Sequence, residues 1–190
     1  MKKRCQWPSE IELDYHDKEW GVPVTDDKKW FEHLLLDTFQ PGLSWKIVLQ
    51  KRVGFRKAFY DFDVHKVAQM SDEQIAELRE NPNIIRNRLK IKASVTNAQA
   101  FIKIQEEFGS FNSYIWQFTD GKTIHNQFNK LSEIASTSTQ SDKMSKELKA
   151  RGFKFVGSTI CYAFMQASGM VNDHTVDCFR YQEIQKISFN

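Results

Sequence analysis

No apolar run in this 190-residue sequence approaches the roughly 20 residues that a membrane-spanning helix requires, which argues against a helical membrane protein. The basic opening MKKRC is followed by QWPSEIELD, where a secretory signal would need an apolar stretch, so a cytoplasmic location is expected. There are only 3 cysteines, an odd number, and this argues against a disulfide framework. No charge of one sign dominates: the net charge is +3, too weak on its own to imply a nucleic-acid partner. Internal repeats, a convincing pair of strands and a long linker are also missing, although a short pairing around TDGKTI stays open.

What remains is a globular, mainly α-helical chain, long enough for one domain or two closely packed helical lobes. Apolar residues recur at helical spacing in DDKKWFEHLLLDTF, in SWKIVLQKRVGFRKAFYDF and in NIIRNRLKIKASVTNAQAFIKIQEEFG, where Gly109 is a plausible stop. SDEQIAELRE opens with a capping box, Ser71 with Gln74. A helix is expected to start at Ser141 or Asp142 and to end at Gly152, and a last one, STICYAFMQASG, to close at Gly169.

Four features carry chemistry. Cys5 and His16 lie near one end of the chain, His174 and Cys178 near the other. Two Cys and two His complete a tetrahedral zinc set with no position left for water, so such a site would be structural and would tie the two ends together. The competing reading is four unrelated residues, with thiols in the core and imidazoles at the surface; Cys161, in an apolar helix, reads as core.

The stretch KARGFKFVGSTICYAF places Gly152 and Gly157 at the two ends of a short turn between helices, with Ser158 opening the second helix. Lys143, Lys146, Lys149, Arg151 and Lys154 lie around it. Free N–H groups at a helix start, with lysines nearby, suit a phosphate backbone; an ordinary helix connection with a wet lysine face is the competing reading. Arg86, Arg88, Lys90 and Lys92 read as a solvated face.

Tyr15, Trp20 and Trp45 stand near DYHDKEWG and GLSW, and Asp37 ends the apolar run LLLD. Aromatic rings with one carboxylate suit a cationic planar ligand, against the default of core packing.

Together YHDKEWGVP (15–23), QPGLSW (40–45), IIRNR (84–88) and RGFKFVGSTICYAFMQASGMVNDH (151–174) resemble the 3-methyladenine DNA glycosylase I family, over almost the whole chain. The resemblance implies a helix-hairpin-helix glycosylase fold in a single domain, acting as a monomer on double-stranded DNA that contains alkylated adenine. The damaged base would be flipped out and its N-glycosidic bond hydrolysed, leaving an abasic site. Structural zinc is implied on Cys5, His16, His174 and Cys178, although the interval from Cys5 to His16 is slightly short for the family. Trp7, Tyr15, Trp20, Asp37 and Trp45 are implied as base-binding, with Asp37 ionised and also the catalytic carboxylate. Gly42 and Leu43 match the segment that fills the gap left by the base, and Gly152, Lys154, Gly157 and Ser158 the phosphate-binding hairpin. Asn172 matches the position where many relatives of the wider superfamily place an Asp; Asp173 is the competitor for that position, or else a support for His174. The main departure is Asp37, where the family normally has Glu; Pro41 also replaces a small residue. A relative retuned to another alkylated purine, or a zinc-stabilised protein that binds damage without cutting, are the alternative readings.

Overall fold

In the computed structural model, which describes residues 2–188, ten α-helices and a two-residue strand pair succeed one another, among the described residues. The helices are α1 (Leu13–Lys18), α2 (Asp27–Phe39), α3 (Trp45–Ala58), α4 (Val64–Ala68), α5 (Asp72–Glu80), α6 (Arg88–Phe108), α7 (Phe111–Ile115), α8 (Thr139–Ala150), α9 (Ser158–Ala167) and α10 (Phe179–Gln185). Helix α6 is the spine. Its face of Ile91, Val95, Ala98, Phe101 and Ile104 is buried, and α2, α4, α5 and α7 pack on it. Phe dominates this core; the rings of Phe101 and Phe111 stack at 4.0 Å and 11°.

The ends of the helices follow local chemistry. Ser71 and Gln74 form the anticipated capping box of α5. Gly109 ends α6 at φ +82°. Asp27 accepts from the backbone N–H groups of Phe111 (2.8 Å) and Asn112 (2.8 Å), capping α7 from a distant part of the chain. The expected start of α8 is corrected: it begins at Thr139, because Ser138 is the N-cap and accepts from Ser141 N–H. Likewise α6 starts only at Arg88, capped by Asn87, so residues 83–87 are not helical. The pattern through YDF is not continuous helix either: Tyr60, Asp61 and Phe62 all have positive φ. The pairing left open near TDGKTI exists. Strand β1 (Ile124–His125) runs parallel to β2 (Val171–Asn172), a partner too distant in sequence for any local pattern to announce.

Helix α2 crosses the spine and also packs on α9, so every side chain from Trp30 to Phe39 is buried. Its last turn is fastened by Lys90. This lysine, expected on a solvated face, is only 5% exposed. Its ammonium donates to the carbonyl oxygens of Phe39 (2.9 Å) and Pro41 (2.6 Å), which satisfies the open C-terminus of α2 with a cation at its negative end.

A second tie lies between α1, α2 and α3. The Arg52 guanidinium donates to Glu19 (2.7 and 2.8 Å) and to Glu32 (2.8 Å), and Lys29 reaches both carboxylates. Burial alone would raise the pKa of Glu19 and Glu32, but the hydrogen bonds from Arg52 and Lys29 outweigh it and hold both at about 2. These depressed values stabilise the fold above about pH 4.5, and that contribution is lost as pH falls toward about 2. Buried His33, lowered by desolvation to about 3, adds a further loss beginning below pH 6.5. Arg52→Ala is expected to cost about 3–5 kcal/mol, because it strands two carboxylates away from water. Urea unfolding at pH 7 measures this, and a loss below about 1 kcal/mol would show that Lys29 and water suffice.

Candidate functional site

Helices α1, α2, α3 and α9 enclose a cavity of about 270 Å³ lined by Trp7, Tyr15, Trp20, Asp37, Gln40 and Trp45, with Ala163, Gln166 and Ala167 on the α9 wall. The sequence-predicted base-binding residues therefore stand together. The rings of Tyr15 and Trp45 lie 5.2 Å apart at 45°, and Trp7 meets Trp20 edge to face at 5.1 Å. The indole N–H groups of Trp7 and Trp45 are buried without a hydrogen-bond partner among the described residues. Burial first, then the neighbouring carboxylates Asp37 and Glu19, push the Tyr15 phenol well up, so it remains a protonated donor.

Asp37 is 1% exposed, and its Oδ2 has no hydrogen-bond partner among the described residues. Behind it lies an apolar wall of Leu34, Leu148, Val156, Ile160, Cys161 and Phe164. The surroundings of Asp37 in the free protein oppose the expected ionised form. Desolvation with nothing positive nearby pushes its pKa well above the usual carboxylate range, toward the neutral acid.

At the cavity mouth the chain turns through Gln40–Leu43, closed by Leu43 N–H donating to Gln40 O (2.8 Å). Gly42 sits at φ +82°, which favours glycine, and a Cβ there would meet nothing. Leu43 projects at 37% exposure, a large apolar side chain left in water beside the opening.

The hairpin 151–157 between α8 and α9 is pinned from both sides. Asn97 of α6 accepts from Lys154 N–H (2.7 Å) and donates to Lys154 O (3.1 Å), while Ser145 donates to Val156 O (2.7 Å). Gly152, at φ +94°, ends α8. Gly157 has an ordinary φ of −63° and open space where a Cβ would be, so the fold itself does not demand glycine there. Two of the surrounding side chains are otherwise engaged. Arg151 pairs with Glu107 (2.6 Å) and lies over the rings of Phe108 and Tyr114, and the Ser158 hydroxyl bonds Ser141 and Asp142. Lys154 remains exposed.

Cys5, His16, His174 and Cys178 converge in the interior, their ligand atoms all within 4.8 Å of one another. Cys5 Sγ lies 3.5 Å from His174 Nδ1, and Cys178 Sγ lies 3.6 Å from both His16 Nε2 and His174 Nδ1. A zinc tetrahedron with Zn–S of about 2.3 Å and Zn–N of about 2.0–2.1 Å separates its S and N donors by about 3.5 Å, so the set fits a four-ligand metal ion. Each imidazole is oriented by a bond from its other nitrogen: His16 Nδ1 to Asp17 (2.8 Å) and His174 Nε2 to Trp20 O (3.0 Å). Arg4, hydrogen-bonded to Asp17, holds that carboxyl at about 2. The support expected of Asp173 for His174 is thus corrected; the carboxylate serving the cluster is Asp17, and Asp173 bonds elsewhere. Asn172 is fully buried on β2, donating to Tyr181 O (3.1 Å), and does not line the cavity. The cluster and the cavity share a wall, because the Trp20 ring packs on His174 at 4.6 Å.

An aromatic cavity with one buried carboxyl, a buried Cys/His set and a glycine-bounded hairpin between two helices thus stand together on a mainly helical fold. The profile of the methyladenine glycosylase family matches residues 5–181, and the chain belongs to that family. It is 47% identical to DNA-3-methyladenine glycosylase 1 of Escherichia coli (strain K12) over 181 residues, 94% of this chain and 97% of that one. It is 44% identical to DNA-3-methyladenine glycosylase of Haemophilus influenzae over 180 residues, 94% and 97% of the two chains. The solved structure of 3-methyladenine DNA glycosylase I from Staphylococcus aureus, a study of 3-methyladenine recognition, superimposes with a TM-score of 0.89 at 36% identity. That match covers 96% of this chain and 94% of the other.

Proposed function

We propose that this protein is a monofunctional DNA-repair glycosylase that excises 3-methyladenine from duplex DNA. The single observation that carries the reading is the aromatic cavity whose one carboxyl, Asp37, is buried without a partner. Such a group costs free energy in the free protein, and a cationic base relieves that cost. Adenine methylated at N3 carries positive charge, so its glycosidic bond is already weak and the base leaves without needing a proton. The task of the protein is then to extract, hold and orient it. Trp45 and Tyr15 stack on the ring, Trp7 and Trp20 shape the slot, and Asp37 ionises against the cationic base, its proton passing to solvent, and holds the donor edge of the ring while the bonding electron pair passes to the base, which leaves neutral. Gly42 and Leu43 enter the duplex in place of the base, an apolar wedge against unstacking.

The helix-hairpin-helix unit grips phosphates through the uncapped start of α9. Gly152 and Gly157 allow close approach, and Lys154 and the N–H of Ser158 provide the contacts. Lys154→Ala is expected to weaken binding about equally on all sequences and to reduce the salt slope of binding by about one unit. An unchanged salt slope, with loss confined to one lesion, would count against the contact. Cys5, His16, His174 and Cys178 hold structural zinc that joins the two ends of a single domain and supplies no chemistry to the reaction. The protein works as a cytoplasmic monomer.

Incubation with methylated duplex DNA tests the function. Free 3-methyladenine and alkali-labile abasic sites are expected. Tight binding without base release would make it a damage-binding protein, and release of other methylated purines in preference would mean a retuned relative.

A further inference from the structure

The α9 wall of the cavity consists of Ala163, Gln166 and Ala167, so Gln166 is its one polar side chain. Its amide is not free to turn. Nε2 donates to Asp173 Oδ2 at 2.8 Å, and Asp173 is itself buried and surrounded by donors: Tyr162 Oη at 2.8 Å on Oδ2 and Asn126 Nδ2 at 2.7 Å on Oδ1. Burial, then Asp173 itself, push the Tyr162 phenol up, so it keeps its proton and donates. Asn126 follows directly on β1, and Asp173 directly on β2. The short parallel strand pair, otherwise unexplained, brings these two residues together. The backbone is fixed as well, since Gln166 O accepts from Gly21 N–H at 3.0 Å.

One N–H of Nε2 is spent on Asp173, which fixes the amide plane and so the place of Oε1, and Oε1 has no hydrogen-bond partner among the described residues. A carbonyl oxygen only accepts. Asp37 cannot enforce the same choice, because a carboxyl that gains and loses a proton offers a donor in one state and only acceptors in the other.

We infer that Gln166 is a specificity-determining residue: its Oε1, aimed by Asp173, accepts from an exocyclic amino group of the flipped base and thereby selects 6-amino purines over 6-oxo purines. The inference rests on the glycosylase reading and assigns Asp173 a positioning role at one remove from the base. A 6-oxo purine would set its carbonyl oxygen against Oε1, leaving two acceptors facing each other in a dry site, whereas a 6-amino purine supplies the missing donor.

The test is the ratio of two bases released from one substrate. Duplex DNA treated with a methylating agent carries both 3-methyladenine and 3-methylguanine, and initial release rates of both are measured for wild type, Gln166→Met and Asp173→Asn. Gln166→Met keeps the length of the side chain and removes the acceptor. It is expected to slow 3-methyladenine release about tenfold, the scale of one hydrogen bond lost in a buried site, without slowing 3-methylguanine. Asp173→Asn frees the amide to turn its NH₂ into the cavity and is expected to move the ratio in the same direction. A merely structural role for Asp173 would lower both rates together. Gln166 lies on a cavity wall, so its variant keeps the test decisive if Asp173→Asn does not fold. A Gln166→Met protein of unchanged melting temperature that keeps the wild-type ratio would overturn the inference while leaving the glycosylase intact. A folded wild type that releases neither base would remove the glycosylase reading and the inference with it.

Discussion

Asp37→Asn is expected to weaken binding of 3-methyladenine by about 1.5–3 kcal/mol, the usual scale of a charge-assisted hydrogen bond, and to slow excision about 10- to 150-fold. The same substitution is expected to stabilise the free protein. The carboxyl is buried with Oδ2 unpartnered, and its pKa is raised well above the model-peptide 3.8. An acid raised in the folded state favours folding only at pH values below its unfolded pKa, and that advantage is lost as pH rises toward the folded one. At neutral pH the unfolded chain therefore gains by ionising Asp37, and Asn removes that gain. The melting temperature of Asp37→Asn should exceed that of wild type at pH 7, and the difference should vanish below about pH 3.8, the unfolded value. A variant that is both less active and less stable at pH 7 would mean that Asp37 supports the fold rather than the ligand. Asp37→Glu adds about 1.5 Å of reach and is expected to keep or improve activity. The apolar wall of Leu34, Ile160 and Phe164 sets the limit on how far the longer chain can settle back.

Cys178→Ala is expected to cost on the order of 5 kcal/mol, about half of the roughly 10 kcal/mol by which structural zinc stabilises small folds. In a chain of this length that corresponds to about 10–20 °C in melting temperature. Cys178 caps α10, while Cys5 and His16 belong to the opposite end of the chain. Loss of one ligand thus releases both ends at once. The intrinsic rate of the molecules that stay folded should fall much less, because none of the four Cys/His residues lines the cavity; Trp7 and Trp20 stand between, packing on His16 at 5.4 Å and on His174 at 4.6 Å. Metal analysis of untagged protein should give one zinc per chain; protein that is folded and free of zinc would refute the assignment.

The sequence announced the helices more fully than their joints. Apolar spacing, a capping box and stop glycines located α2, α3, α5, α6, α8 and α9, because these signals are local in sequence. The same signals gave no helix at α10 (Phe179–Gln185), and they left open the pairing near TDGKTI, whose strands have only two residues each. The Cys/His set was legible as a tetrahedral complement but not as a place, since its members come from the two ends of the chain. Lys90 was misread for a related reason. A lysine in a basic run looks solvated, and only the convergence of two carbonyl oxygens from α2 and its following turn shows why this one is buried. Gln166 gave no signal at all. A single amide in an apolar helix becomes informative only once Asp173 is seen to hold its NH₂.

If the aromatic cavity holds the flipped base, the five Trp residues of this protein report it. Three of them, Trp7, Trp20 and Trp45, line the cavity. The other two are far from free: Trp30 donates to Asn112 Oδ1 (2.9 Å) and Trp116 to Val24 O (3.0 Å) in the core. Titration of ¹⁵N-labelled protein with 3-methyladenine, followed through the indole N–H signals, should move those of Trp7, Trp20 and Trp45, with the shifts of Trp30 and Trp116 small. Saturable binding that leaves the three cavity signals in place would mean that the base binds elsewhere.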